Sequence, residues 1–307
     1  MKVLVATEKP FAAAAVAGIK DIVEKAGHTL ALLEKYTTKE ELVAAAADAD
    51  AMIVRSDKVT AEVVEAAKNL KIVVRAGAGF DNLDLDACSA HKVVAMNTPG
   101  QNSNAVAELA IAMMIYMSRG QFTPATGSEI SGKKVGIQAF GNVGRLVGKK
   151  AEALGMEVMA IDPFIPAEKI AEAGARPAAS LEELYSSCNF VSVHIPATPQ
   201  TVKSIGYDLI TKMPKGATLV NTARKEVIDE EGLMKALSER EDLKYITDIA
   251  PDNYAELKEK FGVRVFATPK KMGAQTAEAN INAGLAAARQ ICDFFATGCT
   301  KFQLNKF

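Results

Sequence analysis

Short apolar runs recur along this chain, separated by stretches in which apolar residues return at helical spacing. In the first third, Val3–Ala6, Leu30–Leu33, Met52–Val54, Ile72–Val74 and Val93–Ala95 predict strands, with helices such as Phe11–Ala26 and Ala61–Ala67 between them. A second series starts at Lys134, where Val135–Ile137, Val158–Ile161, Phe190–Val193, Thr218–Val220, Tyr245–Thr247 and Val263–Phe266 predict strands. Strands that are apolar on both faces and alternate with helices form parallel sheets covered by helices. The pattern predicts an α/β protein of two domains. Asn104–Met117 reads as a helix apolar nearly all round, hence buried on more than one side. Thr276–Phe295 reads as a long C-terminal helix that returns the chain to the first domain. Ligands of such folds bind at the C-terminal ends of strands, so a cleft between the two sheets is the expected active site.

Within this pattern Lys134–Gly144, followed by Asp162, carries the most chemistry. Val135-Gly136-Ile137 is a buried strand, and the glycines after it are a tight turn into a helix. Leu146, Val147, Ala151 and Leu154 form the apolar face of that helix, and Gly155 ends it. Met156–Ile161 is the next strand and closes on Asp162. Such a βαβ unit places a dinucleotide pyrophosphate on a helix N-terminus, here Gly141, Asn142, Val143 and Gly144, and a carboxylate on the ribose hydroxyls. The first glycine of GxGxxG is Ala139, so the motif is AxGxxG. The charge of Asp162 would repel a 2′-phosphate, which favours NAD over NADP.

Composition excludes several classes. A chain of 307 residues accommodates two cores. Its net charge of −1 and mixed signs do not suggest a nucleic acid or an anionic membrane as partner. Cys88, Cys188, Cys292 and Cys299 lack metal-ligand spacing, so no metal is expected, and they read as reduced thiols of a cytoplasmic protein. No signal peptide is expected before the first strand, and Ala105–Met117, interrupted by Glu108, is too short to span a bilayer.

Five further strings lie at strand ends or adjoining loops: Arg75–Asn82, Asn97–Asn102 with Val106-Ala107-Glu108, Val193–Thr201, Asn221–Arg224 and Thr268–Thr276. In this order, with AxGxxG and Asp162, the chain resembles the D-isomer-specific 2-hydroxyacid dehydrogenases, most of all their 3-phosphoglycerate dehydrogenase branch. The resemblance covers essentially the whole chain. It implies two Rossmann-like domains: a flavodoxin-like substrate domain from residues 1–99 and 283–307, and an NAD-binding domain from residues 100–282. It also implies a homodimer as the usual assembly, although the connection Arg119–Lys133 is shorter than the family's linker. The end at Phe307 leads to the expectation that the serine-binding regulatory module of longer relatives is absent.

Oxidising a 2-hydroxy acid removes a hydroxyl proton while hydride passes to nicotinamide, and a guanidinium suits both the carboxylate and the developing carbonyl oxygen. By resemblance, Arg224 is that arginine, the Gly77–Asn82 loop (Ala78 and Gly79) and Asn102 bind substrate, and Asp248 contacts the nicotinamide amide. His194, Pro196, Thr201, Thr222, Ala223 and Gly273 are then cofactor-side residues. The chain departs from the family at the general base. The family has histidine in TPHxG backed by glutamate in DVFxxEP, whereas His28, His91 and His194 all lie elsewhere. Lys271 occupies the slot counting back from Gly273, and Lys270 counting forward from Pro269; Lys271 is preferred. Asp252 is taken as its carboxylate partner, with Asn253 at the family's offset. A lysine with a pKa near about 10.4 is a good acid, and like charge and burial would lower that value enough for it to act as base.

Arg55, Ser56 and Arg75 match positions that bind the substrate phosphate, with Lys9 and Lys58 able to assist. The expected activity is therefore NAD-dependent interconversion of 3-phosphoglycerate and 3-phosphohydroxypyruvate in L-serine biosynthesis. A glyoxylate, hydroxypyruvate or D-lactate reductase, and a non-catalytic NAD(H) sensor, stand as alternatives.

Overall fold

The computed structural model describes every residue, Met1–Phe307, and the chain divides into two compact units, residues 1–102 with 275–307 and residues 103–274. The first unit runs β1 (Lys2–Thr7), α1 (Ala13–Lys25), β2 (Thr29–Glu34), α2 (Lys39–Ala46), β3 (Ala51–Val54), α3 (Ala61–Ala66), β4 (Ile72–Arg75), α4 (Leu85–Ala90) and β5 (Val94–Asn97). In the second unit follow α5 (Ser103–Ser118), β6 (Lys134–Gln138), α6 (Asn142–Ala153), β7 (Glu157–Ile161), α7 (Ala167–Glu172), β8 (Arg176–Pro177), α8 (Leu181–Ser187) and β9 (Phe190–Val193). It closes with α9 (Tyr207–Ile210), β10 (Thr218–Asn221), α10 (Glu230–Glu239), β11 (Lys244–Thr247), α11 (Tyr254–Phe261) and β12 (Val265–Ala267). A last helix, α12 (Ala277–Thr297), belongs to the first unit.

Every paired strand is parallel. The first unit has the order β2-β1-β3-β4-β5, that of flavodoxin-like sheets. Its central strands β3 and β4 are buried because α1 and α12 cover one face and α2–α4 the other. The C-terminal tail protects the free edge: Leu304 N donates to Ala95 O (2.8 Å), and Asn305 Oδ1 accepts from Ala95 N (2.9 Å).

The second unit has the order β12-β11-β10-β9-β6-β7-β8. Counted from β6, this is the classic Rossmann order with one more strand on the β11 side, and the strand order reverses between β6 and β9. Two elements differ from the pattern read along the chain. The last strand begins at Val265, because Gly262 at φ +56 opens a 3₁₀ turn over Gly262–Arg264. Edge strand β8 has only two residues, one a proline, and so carries no periodic signal. Leu154 lies just past α6 with 43 % of its surface exposed, rather than on the buried face, and Gly155 at φ +80 ends the helix. The second crossover between units precedes α12 instead of cutting it, as befits a cooperative hydrogen-bonded helix.

Candidate active site

In the turn after β6 each glycine position does something different. Ala139, at the first, has φ +75, a left-handed conformation that is costly for a side chain. A Cβ at Gly144 would sit 2.2 Å from the Ala139 carbonyl oxygen, so the close approach of α6 to the turn needs glycine there. A Cβ at Gly141 would meet nothing within 4 Å, and Gly141 as N-cap provides no side-chain acceptor. No side chain caps the first amides of α6, as an anion site at a helix N-terminus requires. Asp162 braces the turn: Oδ2 accepts from Phe140 N and Oδ1 from Phe164 N, both at 2.8 Å, leaving further lone pairs on each oxygen.

At the neighbouring strand ends, the β9 loop carries His194, Pro196 and Thr201. His194 Nε2 lies 3.0 Å from Ser192 Oγ and Nδ1 lies 3.5 Å from Thr222 Oγ1; burial pushes the imidazole well below its usual range and keeps it neutral. Thr201 Oγ1 donates to Pro196 O (2.5 Å) and accepts from Thr198 N (2.8 Å), which closes the loop.

The charged groups gather after β10 and β11. Ala223 O accepts from both Lys271 Nζ (2.7 Å) and Arg224 Nη1 (2.9 Å). Asp248 is fully buried. Its Oδ2 accepts from Gly273 N (2.8 Å), while its Oδ1 is buried without a partner. Burial holds the Asp248 carboxyl above the usual range; the charges of Lys271 and Arg224 and the Gly273 amide pull it back. A Cβ at Gly273 would come within 2.8 Å of that carboxylate, so any larger residue there would push the carboxylate aside. Thr268 Oγ1 bridges Asp248 O (2.9 Å) and Lys270 O (2.7 Å), and both Lys270 and Lys271 side chains reach solvent.

Asp252 pairs with a lysine other than the two in the Thr268–Thr276 string. Its side chain is 80 % exposed and pairs with Lys225, while Glu230 accepts from the amides of Asp252 (2.9 Å) and Asn253 (3.1 Å). Asp248 is a carboxylate that senses the charge of Lys271. Asn221 also escaped the reading of the chain: its side chain clamps the Thr222–Arg224 turn from both ends.

In the first unit, Arg55 and Arg75 end or follow adjacent strands. The Arg55 guanidinium lies over the Phe11 ring and donates to Lys9 O (2.9 Å), Pro10 O (3.2 Å) and Asn280 Oδ1 (2.7 Å). Arg75 Nε donates to Arg55 O (3.0 Å), and its guanidinium covers Gly77, where a Cβ would collide at 1.6 Å. Buried Asp57, which the pattern did not single out, fixes this corner by accepting from Glu8 N (2.7 Å), Tyr36 OH (2.8 Å) and Arg55 N (3.0 Å). Asn97 Nδ2 holds Ala78 O (2.6 Å), while the Ala78 and Gly79 amides make no hydrogen bond within the protein. Ser56 is exposed and Asn102 half-buried at the unit's end.

A Rossmann unit with an uncapped helix N-terminus, a carboxylate at the end of the next strand and cations clustered beside a buried carboxylate has the layout of a dinucleotide-binding scaffold. The sequence pattern of the D-isomer specific 2-hydroxyacid dehydrogenase NAD binding domain matches residues 105–281. D-3-phosphoglycerate dehydrogenase of Methanocaldococcus jannaschii is 37% identical over 273 residues, 83% of this chain and 51% of that protein. The chain spans about half the length of the curated relatives it matches. The crystal structure of NAD+-bound 3-phosphoglycerate dehydrogenase from Entamoeba histolytica aligns over 100% of this chain and 99% of its own, with a TM-score of 0.88 and 51% identity. D-2-hydroxyisocaproate dehydrogenase shares the fold, with a TM-score of 0.85 at 21% identity over the full length of both chains. The chain belongs to the D-isomer specific 2-hydroxyacid dehydrogenase family, and its second unit carries that family's NAD binding domain.

Proposed function

We propose that this protein is an NAD-dependent D-3-phosphoglycerate dehydrogenase that interconverts 3-phosphoglycerate and 3-phosphohydroxypyruvate in L-serine biosynthesis. The observation that carries the reading is the convergence of Lys271 and Arg224 on the Ala223 carbonyl beside buried Asp248. The chain's residues fit NAD: the open face at Gly141 suits a pyrophosphate, and the orphaned Asp248 Oδ1 suits the amide of a nicotinamide. Gly141, Asn142, Val143 and Gly144 would hold the pyrophosphate and Asp162 the ribose. His194, Pro196, Thr201, Thr222, Ala223, Asp248 and Gly273 would line the nicotinamide side. When bound, the cofactor supplies or takes up the hydride.

Arg224 binds the substrate's oxygen functions and offsets negative charge developing on the ketone oxygen. Lys271 Nζ gives its proton to that oxygen during reduction and takes it back during oxidation. For recognition we assign Arg55, Ser56, Arg75, Asn102 and the free amides of Ala78 and Gly79 to the substrate. One observation favours a second reading, a reductase of unphosphorylated 2-oxo acids: Arg55 already donates to three protein acceptors. Following NADH absorbance with 3-phosphohydroxypyruvate, glyoxylate, hydroxypyruvate and pyruvate in parallel decides between them. A marked preference for the phosphorylated ketone is expected; preference for an unphosphorylated acid overturns the assignment.

We also propose a cytoplasmic homodimer. Support comes from four cysteines that form no disulfide, and from an apolar surface patch at α5 and the end of α6 that includes Ala112, Ile115 and Leu154. No helix is long and apolar enough to cross a membrane.

A further inference from the structure

Asn221 is the last residue of β10, fully buried between Val193 and Thr247 of the flanking strands. Its side chain uses both halves of its amide on the turn that follows. Oδ1 accepts from Ala223 N and Nδ2 donates to Arg224 O, each at 2.9 Å. Its own carbonyl accepts from Asp248 N at 3.2 Å. One residue thus holds the backbone on both sides of the Ala223 carbonyl that receives Lys271, and the start of the segment bearing Asp248. A side-chain amide carries its donor and its acceptor on two separate atoms, so it meets both backbone groups at once.

We propose that Asn221 is a positioning residue of the dehydrogenase reaction, setting where Arg224 and Lys271 present their charges. The proposal rests on the roles given to those two residues above. It goes further in making a buried, uncharged side chain that touches no substrate control the proton donor through the Ala223 peptide. A misplacement on the order of 1 Å is enough to cost about 100-fold in rate, so loosening the turn acts on turnover before it acts on cofactor binding.

The test compares the wild-type chain with Asn221→Ser, whose single, shorter hydroxyl cannot meet both backbone groups at once, and Asn221→Asp, which replaces the donor by an anion. Three quantities are measured: kcat for the 2-oxo acid the wild type turns over, NADH affinity by fluorescence, and the pH midpoint of Lys271 acylation by an amine-reactive ester, mapped by mass spectrometry. The expected result is a kcat about 10- to 100-fold lower in both variants with NADH affinity retained. The Lys271 midpoint moves down in Asn221→Ser, because a hydrogen bond to the ammonium loosens, and up in Asn221→Asp, because an anion is added. Unchanged kcat and midpoint in folded variants overturn the proposal, as does a parallel loss of kcat and NADH affinity with a fixed midpoint. If one variant fails to fold, the other still decides. If the wild type reduces no 2-oxo acid, the proposed function fails, while the acylation midpoints, which need no turnover, still judge Asn221.

Discussion

Two clusters of cations lie at strand ends in this protein, and they are built differently. Around Arg55, the guanidinium already donates to Lys9 O, Pro10 O and Asn280 and stacks on Phe11. Around Arg224, two cations share one carbonyl, and the nearby carboxylate has a buried oxygen with no partner. The first arrangement is satisfied by the protein itself; in the second, one oxygen of Asp248 is left without a partner. A buried polar group without a partner is costly, and such costs persist where a ligand completes the set. The comparison teaches that charge at a strand end marks a candidate site, and that the unfilled valence separates a poised site from a brace.

The largest expected effects come from the unfilled cluster. Arg224→Leu or Lys271→Met should lower kcat by about 10²- to 10³-fold in the NADH assay, the range for losing an oxyanion donor or a general acid. Lys270→Met should leave kcat nearly unchanged. Full activity in Lys271→Met would remove the lysine from the proton path.

The glycines separate stability from binding. Gly144→Ala forces a Cβ against Ala139 O and should cost about 1–3 kcal/mol, read as a lower Tm. Gly141→Ala meets no protein atom, so its Tm should hold while NADH affinity drops. A Gly141→Ala variant that binds NADH as well as wild type would move the pyrophosphate elsewhere.

Arg55 and Arg75 bear on the comparison directly. Arg55→Met should lower Tm by about 2–4 °C for each kcal/mol of bracing lost, and Arg75→Met should raise KM for the phosphorylated ketone with kcat less affected. A rise in KM in Arg55→Met with no change in Tm would make Arg55 a ligand group after all, and the contrast would collapse.

The smallest effect concerns pH. The Asp248 carboxyl is raised in the folded chain by burial, so its contribution favours folding most below the unfolded carboxyl's pKa and is lost as pH rises through the raised folded value. Asp248→Asn should therefore flatten the decline in Tm from about pH 4 towards neutrality, within the carboxyl range. A Tm profile identical to wild type would show that burial does not penalise this charge.

How much was legible in the sequence varies with the range of the interaction. The strands were legible because a parallel sheet covered on both faces demands continuous apolar runs, as Phe190–Val193 shows. The AxGxxG turn was legible because its geometry is local, although the left-handed Ala139 was visible only as a missing glycine. The place of Asp252 was not legible because counting along a loop assumes a fixed path, whereas Glu230 holds the amides of Asp252 and Asn253 and Lys225 pairs with the Asp252 carboxylate. Asn221 was within a recognised string but gave no charge or periodicity to mark it.

By itself, then, the sequence determined two parallel α/β sheets, the dinucleotide turn and the set of cations available for chemistry, all encoded in neighbouring residues and local conformational preference. Tertiary structure alone decided which donors meet which acceptors. Arg55 meets Asn280 across 225 positions and Lys271 meets Ala223 across 48, and hydrogen-bond valence is assigned only when such distant groups are brought within about 3 Å.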